Sequence, residues 1–452
     1  MRRRGSILVA MLWCVAVLSV VVIGVMHSVR MDLMIAKNSA DKVQAHYLAL
    51  AGIEKAKALL YQEAGERKRA ARNHSGALYD SPTDFREVPL GRGQFSVIRQ
   101  GRRDEGGKLI YGIADEESRL NVNQASSQEL AKLINMTPEI VAAILDWRDG
   151  DNNPTPGGAE ADYYSSLSKP YLPRNAPFLT TRELLMVRGV TRELFMGEDA
   201  NQNGLLDPEE DDGDVSSPPD NRDGVLDAGW SGDVTVDSWV SNQSAAGQDR
   251  VNVQSADEKT LSSVRGISSE IAKAIIAYRG QKQLENLADL LDVSAVAAPR
   301  QTGTATTPAN PNQPRPTPQA TGPKLISQDM LIEMADDIAT ADGNEQPGAI
   351  NINTASVDVL ACLPGVTPEI AQAIVRYRAS AGYFPNIAAL LNVDGLTQQI
   401  FRQVSPRVSA RSETFRILSE GIVPSSGARK RIQVIVRLGA GTLDTVSWRE
   451  DL

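Results

Sequence analysis

An unbroken apolar run over residues 7–26, directly behind Arg2, Arg3, Arg4 and Gly5, constrains this chain more than any other feature. At a rise of about 1.5 Å per residue such a run covers the ~30 Å hydrocarbon core of a bilayer, and it predicts a membrane-spanning helix. Basic residues stay on the cytoplasmic side, which places the three arginines inside and the bulk of the chain beyond a single span. A secretory signal would put small residues after the run, but Val25, Met26 and His27 stand there. The only junction of that kind precedes it, between Gly5 and Ser6.

The run continues into a segment, 31–65, that contains no proline and only Gly52 as an early interruption. Leu48, Ala51, Ala56, Leu59 and Leu60 fall on one face at helical spacing, so a stalk helix should leave the membrane and rest its stripe on something. A sheet is available. Residues 94–100 alternate around Phe95 and Val97, residues 101–107 turn, and 108–114 return with Leu109, Tyr111 and Ile113. Near the other end of the sequence, 414–423, 431–438 and 442–448 alternate in the same way. A helix laid on antiparallel strands is an α+β arrangement.

Between these strands lies a phrase written three times. It reads LNVNQASSQEL at 120–130, VNVQSADEKTL at 251–261 and INTASVDVL within 350–360, there preceded by Ile350 and Asn351. Each copy leads to a hairpin around Asn135, Gly266 or Gly365, then to Thr137, Ser268 or Thr367 as a helix N-cap, then to an amphipathic run. This resembles the helix-hairpin-helix fold, whose DNA-binding members approach phosphate through hairpin N–H groups freed by two glycines. Here the second glycine is replaced by Thr137, Ser268 and Thr367, and the first is Asn135 in the first copy. Charge does not supply the attraction either: residues 250–293 hold six bases and six acids, and 349–407 four bases and three acids. Packing or protein contact is the expected use of these units, and nucleic acid the less favoured one.

The formal charge of −9 is concentrated. Residues 193–237 hold fourteen acids against one base, Arg222, so this stretch carries −13 and the rest of the chain +4. Within it, Asp199, Asn201, Asn203, Gly204, Leu205, Asp207 and Glu210 meet the calcium-loop pattern, with oxygen ligands at alternate positions, glycine at the turn and a closing glutamate. Calcium suits an all-oxygen set with neither Cys nor His nearby. A second copy, Asn221, Asp223, Gly224 and Asp227, is degenerate: Pro219 takes the place of its first acid and Trp230 that of its last. A solvated acidic loop is the alternative for both. Metal here would fold a loop rather than cut a bond.

Residues 295–325 are dominated by Pro, Thr, Ala, Gln and Asn without apolar periodicity and read as a disordered linker. Helical spacing resumes at Met330, Leu331, Met334 and Ile338 and is expected to open the third repeat. No enzyme emerges: His27, His46 and His74 are scattered near the stalk, and no nucleophile has a partner at a recognisable spacing. Cys14 and Cys362 are separated by the expected membrane boundary and do not form a disulfide framework.

The basic tip, Gly5 and a retained membrane helix resemble the type IV pilin class of signal. Most members carry a glutamate at the position of Ala10; a subunit with nothing above it needs no such acid, since an unpaired one costs roughly 2.5–3.5 kcal/mol at that depth. The order of 111–123, the acidic stretch from Asp146 to Asp162, and Tyr163, Tyr164, Asn175 and Phe178 before a helix at 181–189, followed by terminal strands ending Trp448-Arg449-Glu450, is similar to the minor pseudopilin K family of type II secretion systems. The resemblance implies a non-enzymatic tip subunit of a secretion pseudopilus, anchored in a bacterial inner membrane with its bulk in the periplasm. It implies cleavage between Gly5 and Ser6 by a prepilin peptidase with methylation, and partnership with other minor pseudopilins, the major pseudopilin and the inner-membrane platform. Contact with cargo or the outer-membrane channel would follow from a tip position. It also implies structural calcium in the helical domain, for which Asp146, Asp149, Asp151, Glu160 and Asp162 are further candidates. The rival readings are a DNA receptor of a competence or type IV pilus system and a minor pilin of an adhesive pilus.

The expected organisation is a leader at 1–5, a membrane helix and stalk at 6–66, and a pilin-like antiparallel sheet split between 90–115 and 409–452. Between its halves lies a large all-helical insertion: two helix-hairpin-helix units and the acidic loops over 116–294, the linker, and a third unit over 326–408.

Overall fold

The computed structural model describes residues 4–74, 76–215, 217–295, 323–341, 343–439 and 441–450. The first three leader residues and most of the expected linker lie outside the described residues. A single helix, Arg4–Ala70, carries the apolar run and the stalk without a break. Its membrane-length part is exposed throughout, and packing begins only at Asp41 and Ala45.

From there Ala45, Leu48, Ala49, Ile53, Ala56 and Leu60 are buried at three- and four-residue spacing against the sheet. Small residues set how close the helix comes. A Cβ on Gly52 would lie 2.2 Å from Ser419 Oγ, and one on Gly421 would lie 2.1 Å from the Ala45 carbonyl oxygen. Gly52 therefore marks a contact point, not a weak spot in the helix.

The sheet runs in the order Val88–Leu90, Gly93–Gln100, Thr414–Val423, Ala428–Leu438, Leu443–Arg449, all antiparallel, with Ala114–Asp115 beside the central strand. Val97 pairs with Ser419, so the central strand comes from the far end of the sequence. Val97, Phe415, Ile417, Ile432, Val434 and Val436 face the helix. Ile98 and Leu418 face the other way and receive Leu205 from the acidic loop. This is the α+β fold expected, with the helical insertion leaving after Asp115 and returning at Thr414.

All three repeats share one frame. Each opens with two residues that pair, in parallel, with two residues at its close: Leu120–Asn121 with Val234–Thr235, Val251–Asn252 with Ile338–Ala339, and Ile350–Asn351 with Val408–Ser409. The repeated asparagine explains itself: Asn121, Asn252 and Asn351 each accept, through Oδ1, the N–H two residues on at 2.8–2.9 Å. An arginine ending the amphipathic helix then clamps the entering strand. Arg148 donates to the carbonyls of Val122 and Ala125, Arg279 to Val253, and Arg378 to Ile352 and Ala355.

The frame corrects one expected boundary. Gln328–Met334, capped by Ser327, closes the second unit and does not open the third, which begins at Ile350. The reason is that Val293 and Leu325 meet, so the chain on either side of residues 296–322 belongs to one unit. Where the third unit turns through Asp394, Gly395 and Leu396, the second holds its two ends together through Leu325 N–H to the Val293 carbonyl at 3.0 Å. Chain order alone attached the helix to the wrong neighbour.

The first unit is interrupted in its last helix. Arg192–Met196 stops at Gly197, the acidic loops follow, and Gly229–Asp233 resumes. Gly197 and Gly229 both have positive φ, and a Cβ on Gly197 would lie 2.5 Å from Gly229 N. Two glycines thus allow the loop to leave and re-enter at one place. Trp230, fully buried, returns the chain to the core and donates Nε1–H to the Ile134 carbonyl at 2.8 Å.

Candidate metal centre

The first acidic loop folds as its spacing requires. Asp199 accepts N–H from Asn203 and Gly204 at 3.0 Å, Asn203 accepts from Leu205 at 2.7 Å, and Gly204 has φ +72°. Glu210 accepts from Asn201 at 3.5 Å and Asp207 at 3.1 Å. Burial raises the carboxyls of both Asp199 and Glu210 above their usual range, and the neighbouring Asp199 and Asp207 add to the shift at Glu210. Oxygens gathered at such a desolvation cost form the kind of set calcium takes. Leu205 turns its side chain onto Ile98 and Leu418, and Asp207 lies 3.5 Å from Arg431, so this loop also touches the sheet.

The second loop is more complete than its sequence. Asn221 accepts from Asp223 N–H and Asp223 from Val225 N–H, both at 2.8 Å. The missing closing acid comes from outside: Glu198 accepts N–H from Asn221 at 3.3 Å and from Asp227 at 3.0 Å. Those are the positions Glu210 serves in the first loop. Glu198 is only 8% exposed, and burial, then Asp227 and Asp220, raises its carboxyl. Sequence spacing missed it because it precedes the first loop; its one signal was an acid beside Asp199.

Asp146, Asp149 and Glu160 form a third cluster, with one oxygen from each within 4.8 Å of the others. Asp146 is fully buried and accepts Thr155 N–H at 3.1 Å. Glu160 is 4% exposed, yet neither of its oxygens has a hydrogen-bond donor. Burial, then Asp146, Asp149 and Asp151, pushes its carboxyl up to about 7. Orphaned buried carboxylate oxygens beside two other acids fit a bound cation. Asp151 instead accepts Asn153 N–H, and Asp162 stands in the first turn of Ala161–Ser165, so neither joins the trio.

The hairpins show what occupies their helix starts. Thr137, Ser268 and Thr367 accept the first-turn N–H of Ile140, Ile271 and Ile370. Glu139 and Glu369 lie at the same starts, held below their usual range by hydrogen bonds to their own N–H and to the capping threonine. At the second unit Glu258 accepts Ser269 Oγ–H at 2.6 Å. Carboxylates of the chain itself sit where a phosphate would approach.

A membrane-length helix continuous with a stalk, a helix-backed antiparallel sheet and an inserted helix-hairpin-helix domain define a pilin-like anchored protein. Residues 110–196 match the family described as type II secretion system (T2SS), protein K, and 247–298 and 346–409 match the helix-hairpin-helix motif. The chain is 25% identical over 202 residues to type II secretion system protein K of Pectobacterium carotovorum subsp. carotovorum, covering 43% of this chain and 60% of that protein. It is 27% identical over 211 residues to protein K of Pseudomonas aeruginosa, covering 42% and 59%. Over part of its length the chain is thus similar to the type II secretion system protein K family. It is also 26% identical over 167 residues to endonuclease/exonuclease/phosphatase family domain-containing protein 1 of Mus musculus, covering 36% of this chain and 28% of that one. The chain thus spans about 60% of the protein K relatives it matches and under a third of the mouse protein. The GspK-GspI-GspJ complex of enterotoxigenic Escherichia coli contains a similar chain at TM-score 0.41 and 13% identity, covering 93% of this chain and 98% of that one.

Proposed function

We propose that this protein is a non-enzymatic subunit at the tip of a type II secretion pseudopilus, supporting assembly and protein export. The carrying observation is where the insertion sits. It docks on the end of the stalk helix away from the membrane run, where Asn73 donates to Asp336 at 2.7 Å and to the Pro385 carbonyl at 2.8 Å. Bulk there obstructs a further subunit above and is compatible with the end of a filament. Ala10, with no acid to pair with a subunit above, agrees.

The same reading gives an inner-membrane anchor, a periplasmic body and cleavage between Gly5 and Ser6 by a prepilin peptidase. Its partners are the other minor pseudopilins, with the major pseudopilin and the secretion platform acting during assembly. Asp146, Asp149 and Glu160, and the loops closed by Glu210 and Glu198, are assigned to structural calcium, which neutralises carboxylates that the fold brings together. The test is the full chain in detergent, co-expressed with the minor pseudopilins encoded beside it and sized with calcium and with EDTA. A stoichiometric complex that weakens in EDTA is expected. Failure to associate in either buffer overturns the tip assignment.

A further inference from the structure

The first acidic loop puts neighbouring residues to opposite uses. Asp199, Asn201, Asn203, Asp207 and Glu210 are its ligand positions, drawn together by hydrogen bonds across the turn. The residues between them face the sheet. Arg449 Nη1 donates to the Gln202 carbonyl at 3.1 Å, and the Leu206 N–H donates to Gln100 Oε1 at 3.3 Å. The Leu205 side chain, 3% exposed, packs on Ile98 and Leu418. Asp207 serves both sides: Oδ2 accepts from Asn201 and Asn203 at 2.9 and 2.6 Å, while Oδ1 lies 3.5 Å from Arg431 Nη1.

The second loop adds Val225, which lies over Gly107: a Cβ on that glycine would be 2.6 Å from Val225 Cγ2. The excursion between Gly197 and Gly229 therefore leaves the first unit, crosses to the sheet face away from the stalk helix, and returns. It is a strap across the boundary between insertion and sheet. Its contacts through Gln202, Leu205, Leu206 and Asp207 all fall inside the ligand turn 199–210. Gln202 itself sits at φ +57°, a left-handed conformation that a residue with a side chain holds only under constraint. Without a cation, Asp199, Asp207 and Glu210 repel one another at close range, and the turn that aims the intervening residues at the sheet loses its centre.

We propose that cation occupancy of the first loop controls whether the helical insertion is strapped to the sheet: a filled turn presents Gln202, Leu205 and Leu206 to the sheet, and an empty one lets go of Ile98 and Leu418. The inference rests on the structural-calcium reading of that loop and goes beyond it, because it makes the sheet part of the site. Such coupling is reciprocal: by whatever factor binding tightens docking, docking tightens binding. Leu418 supplies no ligand, yet trimming it should weaken cation binding. The strap also forms one wall of a cleft of about 810 Å³ between the sheet and the first and third units. Asp199 and Asn203 of the loop line it together with Arg99, Arg119, Asp233 and Asp358. Release of the strap opens that cleft in the same movement.

The test uses the full chain in detergent. Calcium titration by calorimetry, with Glu210→Gln identifying the first loop's share, gives that loop's affinity in the wild type, Leu418→Ala and Leu205→Ala. Hydroxyl-radical footprinting reads the exposure of the Ile98 side chain with calcium and with EDTA. Binding should weaken by about 5- to 150-fold in both leucine variants. Ile98 should be protected in the calcium-loaded wild type, modified in EDTA, and modified in Glu210→Gln even with calcium present, where the other sites stay filled. Unchanged affinity in Leu418→Ala and Leu205→Ala, or Ile98 still protected in calcium-loaded Glu210→Gln, overturns the strap and leaves calcium in the loop. Identical titrations of the wild type and Glu210→Gln show that the first loop takes no calcium, and overturn the reading beneath the strap along with it. Should the leucine variants fail to fold, the Ile98 footprint in the wild type and Glu210→Gln decides the matter.

Discussion

The first and third helix-hairpin-helix units are two versions of one frame that have been treated very differently. The third runs from Ile350 to Ser409 with short turns, and its last helix, Gln398–Val404, is whole. The first needs residues 120–235 to make the same parallel closure, because acidic segments have grown between Asp149 and Glu160 and between Gly197 and Gly229. Every candidate cation ligand is in the enlarged unit. The lesson is that the frame tolerates growth where two backbone points stay in contact, and that the inserts carry chemistry the frame lacks.

The most severe way to break this comparison is at the point of re-entry. Trp230 in the first unit and Phe401 in the third are both fully buried on the last helix, and Trp230→Ala and Phe401→Ala should each cost ~3–5 kcal/mol, read by denaturant unfolding. A much smaller loss for Trp230 would mean that the interrupted helix does not close its core. Cation removal should separate the units next. Calcium at a hundredfold excess over its dissociation constant stabilises by about 2.7 kcal/mol, so EDTA should speed protease cleavage within 149–230 and leave 350–409 unchanged. Replacing residues 294–324 by an Asp-Gly turn like that of the third unit shortens a closed loop roughly tenfold. It should raise stability by up to ~2 kcal/mol with the fold intact; unfolding of the second unit would contradict the pairing of Val293 with Leu325.

The mildest contrast is in pH. Without metal, Glu160 is more stable protonated in the fold, so the first unit should lose stability as pH rises from 4.5 to about 7, while the third should not respond. Metal needs the ionised form, and affinity at this cluster should therefore increase over the same window, by at most about tenfold per pH unit, in calcium titrations that Glu160→Gln abolishes.

Much of this was legible in the sequence, and the remainder fails for a common reason. The membrane helix, the stalk stripe and the strands 414–423 and 93–100 are periodic signals over contiguous residues, and the thrice-written phrase carries its own turn chemistry in Asn121, Asn252 and Asn351. The first loop was equally local. Glu198 was not, because it serves a loop whose other residues begin more than twenty positions later. Gln328–Met334 was assigned forward because nothing in linear spacing says that Leu325 returns to Val293. The contacts of Asp115 and Glu117 are equally non-local, since Asn351, Ser412 and Thr414 are brought against them from 236 to 297 residues away.

The late arrival of the strand Thr414–Val423 has a consequence for biogenesis. It is the partner of Gly93–Gln100 and the main floor beneath the stalk helix, yet it is translated only after all three helical units. The helical units can complete their own parallel closures as they emerge, whereas the membrane-proximal layer must wait for nearly the whole polypeptide. Until then the stripe from Ala45 to Leu60 stands uncovered on a helix whose first part is long and apolar enough to cross a membrane. The domain nearest the membrane is thus the last to be finished, and truncations near the C-terminus should yield chains that are anchored, helically folded and aggregation-prone at their base.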